Sequence, residues 1–136
     1  MYVSETKIRV RYAETDQMSF VYYGNYATYF EVARVEALRN LGVTYKDLED
    51  SGYLMPVIEY KIKFLKPVLY DEELFIKTTI RDMPKARIRF EYECFNPKDE
   101  LTNTAETTLV FLRKETRKPC PVPSVIRKTI EDFFQD

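Results

Sequence analysis

The stretch Asn25-Tyr26-Ala27-Thr28-Tyr29-Phe30-Glu31-Val32-Ala33-Arg34-Val35-Glu36-Ala37-Leu38-Arg39-Asn40-Leu41 decides the fold. Tyr26, Tyr29, Phe30, Ala33, Ala37, Leu38 and Leu41 recur at steps of three and four, while Glu31, Arg34, Glu36 and Arg39 fill the other side. That spacing predicts an amphipathic helix over Asn25 to Leu41, and Gly42 follows it as a C′ stop. At 1.5 Å per residue the helix is roughly 25 Å long, enough to cross a five-stranded sheet.

Working outward, the flanking sequence reads mostly as strand. Lys7 to Tyr12 alternates, with Ile8, Val10 and Tyr12 on one side and Lys7, Arg9 and Arg11 on the other. The same period of two runs through Glu59 to Phe64, where Tyr60, Ile62 and Phe64 point inward, and through Leu74 to Ile80. It is clearest in Arg87 to Phe95, where Ile88, Phe90, Tyr92 and Cys94 alternate with Arg89, Glu91 and Glu93. A last strand is expected over Thr104 to Arg113, joined to its predecessor as an antiparallel hairpin by the turn Asn96-Pro97-Lys98-Asp99. Short helices are expected at Tyr45 to Ser51 and at Ser124 to Phe134, the second starting from a Ser N-cap after the Pro119 to Pro123 break. No repeat or linker divides residues 1–136, so the expectation is one α+β domain, an antiparallel sheet packed on a single long helix.

Composition then narrows the chemistry. With 21 Lys+Arg against 22 Asp+Glu the net charge is −1, which argues against a dedicated nucleic-acid or membrane-surface protein. There is no histidine, which excludes Ser-His-Asp and Cys-His catalysis, imidazole bases and imidazole metal sites. Three glycines, Gly24, Gly42 and Gly52, cannot make a dinucleotide fingerprint or a P-loop. Cys94 and Cys120 form neither a ligand cluster nor a disulfide framework, and Cys94, on the apolar side of its strand, reads as a buried reduced thiol. No run approaches the ~20 apolar residues of a membrane span and no apolar signal core opens the chain, so a soluble cytoplasmic protein is expected. Any catalyst here works with carboxylates, amines, hydroxyls and backbone amides.

The segment from Glu14 to Tyr26 links the first strand to the long helix. Asp16 stands just past the strand end, and the helix start presents free N–H groups with a partial positive charge. A carboxylate opposite such donors is a minimal acyl-transfer site: one group attacks or activates water, and the amides hold the oxyanion. On spacing alone, an Asp that merely caps a turn is the plainer reading.

Arg11-Tyr12-Ala13-Glu14-Thr15-Asp16, Val21-Tyr22-Tyr23-Gly24-Asn25-Tyr26 and Tyr29-Phe30-Glu31-Val32-Ala33-Arg34 together resemble the signature of the 4-hydroxybenzoyl-CoA thioesterase family of hotdog-fold proteins. Phe64-Leu65-Lys66-Pro67-Val68 and Tyr70-Asp71-Glu72-Glu73-Leu74 resemble that family's corner motif, and the likeness runs from about residue 5 to residue 115. It implies a hotdog fold, a five-stranded antiparallel sheet wrapped around one long helix, and hydrolysis of an acyl- or aryl-CoA thioester by water with no metal or cofactor. Asp16 is then the nucleophile, through an acyl-enzyme anhydride, or the base for water. Tyr23 offers its backbone N–H to the thioester carbonyl, Tyr22, Gly24 and Tyr26 stand at the substrate, and Lys85 and Arg87 meet the nucleotide at the pocket rim. Relatives in the short-chain branch often carry His where this chain has Tyr23, so hydrolysis here falls to Asp16 and the helix-start amides. The family also implies a dimer, or a dimer-of-dimers homotetramer, with the site at the dimer interface.

Other readings stay open beside this one. Tyr29 and Phe30 read as core or subunit interface, Glu31 and Arg34 as a helix-surface or interface ion pair, and Lys85 and Arg87 equally as solvated strand-end charge. A non-catalytic acyl- or CoA-binding hotdog protein is the main alternative. A hotdog dehydratase is disfavoured by the missing histidine, and an interaction module would leave Asp16 purely structural.

Overall fold

The alternation in the sequence becomes a sheet. In the computed structural model, which describes residues 1–135, the strands are β1 (Tyr2–Arg9), β2 (Tyr53–Leu54), β3 (Val57–Phe64), β4 (Glu73–Ile80), β5 (Arg87–Phe95), β6 (Leu101–Arg113) and β7 (Pro119–Cys120). The five long strands run antiparallel in the order β1-β4-β5-β6-β3, and β2 and β7 add two-residue pairings to the far end of β6. The helices are α1 (Tyr26–Arg39), α2 (Tyr45–Asp50) and α3 (Ser124–Ile130). This is the hotdog arrangement the motifs imply.

Helix α1 is wrapped by the inner face of the sheet. Phe30 stacks on Tyr92 with ring centroids 4.4 Å apart, and Phe90 and Tyr92 stack side by side on the same strand. Ala33 and Ala37 have no exposed surface, and their small side chains let the helix lie close on the strands. The Tyr2 hydroxyl donates to the Ala37 carbonyl at 2.6 Å and ties β1 to the helix. Each fully buried large side chain in this layer contributes about 1.5–3 kcal/mol. Cys94 is buried and free in the same layer, as its strand position predicts.

The outer face is charged. Along β4, β5, β6 and β3 run the ion pairs Arg81–Glu91 (2.8 Å), Arg89–Glu91 (3.6 Å), Arg89–Glu106, Lys61–Glu106 (3.7 Å) and Lys61–Glu59 (3.1 Å). Glu91 and Glu106 are each shared between two cations, and Lys61 extends the row to Glu59, so it forms one continuous network.

Four details differ from the sequence expectations. The first strand is Tyr2–Arg9, because Val10 leaves β1 to bond the 71–72 turn (Val10 N–H to the Glu72 carbonyl, 3.0 Å; Asp71 N–H to the Val10 carbonyl, 3.0 Å). Tyr12 therefore points out at 76% exposure and opens a 3-10 turn, Tyr12–Glu14. Tyr60 and Phe64 face inward but lie largely uncovered, because β3 is an edge strand and α1 does not reach over all of it. Arg34 is 7% exposed and makes no ion pair with Glu31; its Nη1 donates to the Tyr92 hydroxyl at 3.3 Å. Finally, the expected Ser124 to Phe134 helix passes into a 3-10 turn, Glu131–Phe134.

Candidate functional site

The loop from Thr15 to Val21 folds into a narrow hairpin. Thr15 and Val21 form an isolated bridge, the Asp16 N–H donates to the Phe20 carbonyl at 2.8 Å, and Ser19 takes the left-handed conformation (φ 65) at the tip. The corner motif braces it from the side: Val21 N–H donates to the Val68 carbonyl at 2.8 Å, and Phe20 bridges Leu69. The two sequence motifs, some fifty residues apart, are thus one structural unit.

This hairpin aims the Asp16 carboxylate. Its Oδ1 accepts the N–H groups of Met18 (2.8 Å) and Phe20 (3.3 Å). Among the described residues, Oδ2 has no hydrogen-bond partner. One oxygen is held and the other is available for chemistry. A turn-capping Asp makes the first kind of bond too, so both readings of the sequence are visible here.

Opposite stands a 3-10 turn, Tyr23–Asn25, running directly into α1. The amides of Tyr23 and Gly24 open that turn and have no acceptor within it. Gly24 is there for a steric reason: a Cβ at this position would meet the Tyr22 ring at 2.7 Å. The Tyr22 and Tyr23 rings pack with centroids 4.4 Å apart at a tilt of 39°, and the Tyr22 ring lies against the glycine. Asp16, Tyr23 and Tyr26 line one groove of about 310 Å³, walled by Phe20, Phe64 and Leu65. Tyr26 packs edge-on against Phe64 at 5.5 Å, and burial pushes its phenol pKa well above the usual range, so the hydroxyl stays neutral.

Of the expected site residues, Asp16, Tyr23 and Tyr26 meet in this groove, whereas Tyr22 and Gly24, which flank Tyr23 in sequence and pack on each other, do not line it. Nor do Lys85 and Arg87. They line a second groove with Met83, Val122 and Arg127, at the end of the sheet where Arg87 pairs with Val110. The first groove adjoins Phe64, at the far end of β3 from Val57. The seven residue steps from Val57 to Phe64 span roughly 23 Å of strand. Sequence reasoning gave no separate role to Glu14, which is bonded to both the loop and the helix, nor to the groove wall Leu65. For Glu14 the available signal was its place inside the loop motif, two residues before Asp16.

A carboxylate and a helix-entry turn with free amides at one apolar groove can together cleave a thioester: the carboxylate attacks it, or activates water toward it, while the amides hold the carbonyl oxygen. No group of three or more His, Cys, Asp or Glu among the described residues is placed to hold a metal. No helix among them is long and apolar enough to cross a membrane.

Comparison with known proteins agrees with that chemistry. Residues 10–130 match a family model described as the thioesterase-like superfamily. The candidate acyl-CoA thioesterase YneP of Bacillus subtilis is 40% identical over 119 residues, covering 88% of this chain and 86% of its own. The chloroplastic acyl-acyl carrier protein thioesterase ATL3 of Arabidopsis thaliana is 30% identical over 132 residues, covering 96% of this chain and 69% of its own. The solved DHNA-CoA thioesterase of Staphylococcus aureus superposes with a TM-score of 0.89 at 34% identity, over 100% of this chain and 97% of that one.

Proposed function

The chain belongs to the thioesterase-like superfamily and is a thioester hydrolase, and we propose that it cleaves an acyl- or aryl-CoA to the free acid and CoA in the Asp16 groove. The observation that carries this is that a half-tethered Asp16 carboxylate and Tyr23, the first residue of the turn leading into α1, line one apolar groove. Relatives named for acyl-CoA and DHNA-CoA thioester hydrolysis support the substrate class.

Asp16 acts as nucleophile or as general base. A thioester's thiolate leaves without an acid, so a carboxylate and oriented amides suffice in a chain that has no histidine. One oxyanion donor supplies about 2.7–4 kcal/mol of transition-state stabilisation. Tyr22, Gly24 and Tyr26 shape the acyl side, and Lys85 and Arg87 take the CoA phosphates. A cytoplasmic location goes with this substrate and with two free cysteines.

Because Lys85 and Arg87 lie at the other end of the sheet from Asp16, the site is completed by a second copy. Strand β3 is an edge with Val57, Ile58, Tyr60 and Phe64 exposed, an open template for strand pairing. Antiparallel pairing of two β3 edges about a two-fold axis sets the Phe64 end of one against the Val57 end of the other. Asp16 of one copy then faces the basic groove of its partner. The assembly is a homodimer, paired further into a homotetramer.

Thiol release from short, long and aryl acyl-CoAs tests the activity, with Asp16→Asn expected to lose at least about 10²-fold in kcat. Equal rates for wild type and Asp16→Asn would remove Asp16 from the mechanism. Acyl-CoA binding without turnover by either would favour a binding protein, the reading in which Asp16 does no more than cap its turn. In H₂¹⁸O, label found on Asp16 after one turnover excludes the base-only mechanism, whereas label confined to the product acid fits both direct water attack on the thioester and opening of an anhydride at the acyl carbon.

A further inference from the structure

Glu14 carries none of the chemistry above, yet it is bonded to the chain on both sides of the Asp16 hairpin. Its Oε1 accepts the buried Tyr29 hydroxyl at 2.8 Å and the Arg11 N–H at 2.8 Å. Its Oε2 accepts Arg11 Nη2 at 2.8 Å and Nε at 3.1 Å. Its main-chain carbonyl accepts the Tyr22 N–H at 2.8 Å and Asn25 Nδ2 at 2.8 Å. These partners belong to the chain leaving β1, to the turn that carries the Tyr23 and Gly24 amides, and to α1 itself. Asp16 follows two residues later.

We propose that Glu14 is a positioning residue for thioester hydrolysis: its side-chain bond to Tyr29 and its carbonyl's bonds to Tyr22 and Asn25 fix the separation between the Asp16 carboxylate and the Tyr23 and Gly24 amides. This rests on the thioesterase reading of that groove. Both reacting elements are referenced to one residue, so a shift of Glu14 moves the carboxylate relative to the oxyanion donors. Misplacement by about 1 Å is enough to cost on the order of 10²-fold in rate.

The contacts are not equivalent. The Arg11 side chain is mostly in water, and an ion pair there is heavily screened. The Tyr29 hydroxyl is buried, so without it the part-buried carboxylate loses a donor that water does not freely replace. Burial alone would raise the Glu14 pKa; the bonds from Arg11 and Tyr29 outweigh it and hold the carboxyl below its ordinary range. The clamp is therefore charged throughout the neutral pH range.

The test is steady-state thiol release by the full-length protein with an acyl-CoA substrate, at a temperature where circular dichroism shows every variant folded. Tyr29→Phe, which keeps the ring and removes only the hydroxyl, is expected to lower kcat about tenfold and Glu14→Ala about 10²-fold, with KM within about twofold. Glu14→Gln, which keeps an acceptor oxygen toward Tyr29, is expected to recover much of the loss. Folded Tyr29→Phe and Glu14→Ala variants with wild-type kcat would overturn the proposal, as would losses that vanish on cooling further below the melting temperature. Should Glu14→Ala fail to fold, Tyr29→Phe decides. Asp16→Asn is assayed alongside: if it hydrolyses like wild type, the reading of the groove fails. If it is inactive while the Tyr29 and Glu14 variants are normal, only the positioning role fails.

Discussion

At the scale of single residues, the site depends on contacts with no slack. Gly24 lies under the Tyr22 ring, where a Cβ would sit 2.7 Å from a ring carbon. Gly24→Ala is expected to destabilise the chain by about 1–3 kcal/mol and to lower kcat by moving the amides. Adding Tyr22→Ser should restore the melting temperature, because it removes the atoms in the way. Glu14 sets the response to acid. Its folded pKa is depressed, so its stabilisation is complete above the unfolded value near 4.3 and is lost as pH falls through the lower folded value. A Glu14→Gln variant should trail wild type in chemical denaturation at pH 7, and the gap should narrow below about pH 4. A gap that stays constant with pH would mean the charged form of Glu14 contributes nothing. Glu14 was legible only as a letter in a motif, because a polar side chain gives no periodic signal of where it bonds. Arg34 misled for a related reason: its spacing from Glu31 fits an ion pair, but its position on α1 carries it under Tyr92.

At the scale of elements, β4 and β5 were legible because both of their edges are paired and one face is covered, so period two in sequence maps directly onto burial. Helix α1 was legible for the same kind of reason, with all its buried residues except Arg34 at the predicted positions. Strand β3 has the same alternation, yet its inward side chains remain uncovered because nothing in the single chain lies beyond that edge. Hydrophobic period reports which side chains need cover, not which molecule supplies it. The strand that ended early, β1, was misjudged because its last turn is set by a bond to residues 71–72, a contact distant in sequence. Ile58 is half exposed beside a register shift, so Ile58→Lys should change the melting temperature of the isolated chain by less than about 0.5 kcal/mol equivalent. It should shift the light-scattering mass to one chain and remove activity with the dimer. A variant that remains dimeric and active would show that the copies meet elsewhere.

At the scale of the whole molecule, charge is arranged by face rather than in sum. The outer sheet face holds its carboxylates and cations in a shared network, while Lys85, Arg87 and Arg127 stand around one groove outside it. Added salt should therefore affect binding more than stability. Raising sodium chloride from 50 to 500 mM is expected to raise KM for acyl-CoA severalfold, whereas the melting temperature moves little because exposed pairs contribute roughly 0–1 kcal/mol each. A KM insensitive to salt would exclude these cations from the CoA phosphates. The separation of Asp16 from this basic groove along the sheet has a last consequence, in mixed populations of chains. A subunit with Asp16→Asn and a subunit with Arg87→Glu are each inactive as pure dimers, but each retains the half that the other has lost. Unfolded together in equal amounts and refolded, they should complement one another, with about a quarter of all sites intact in a randomly paired population.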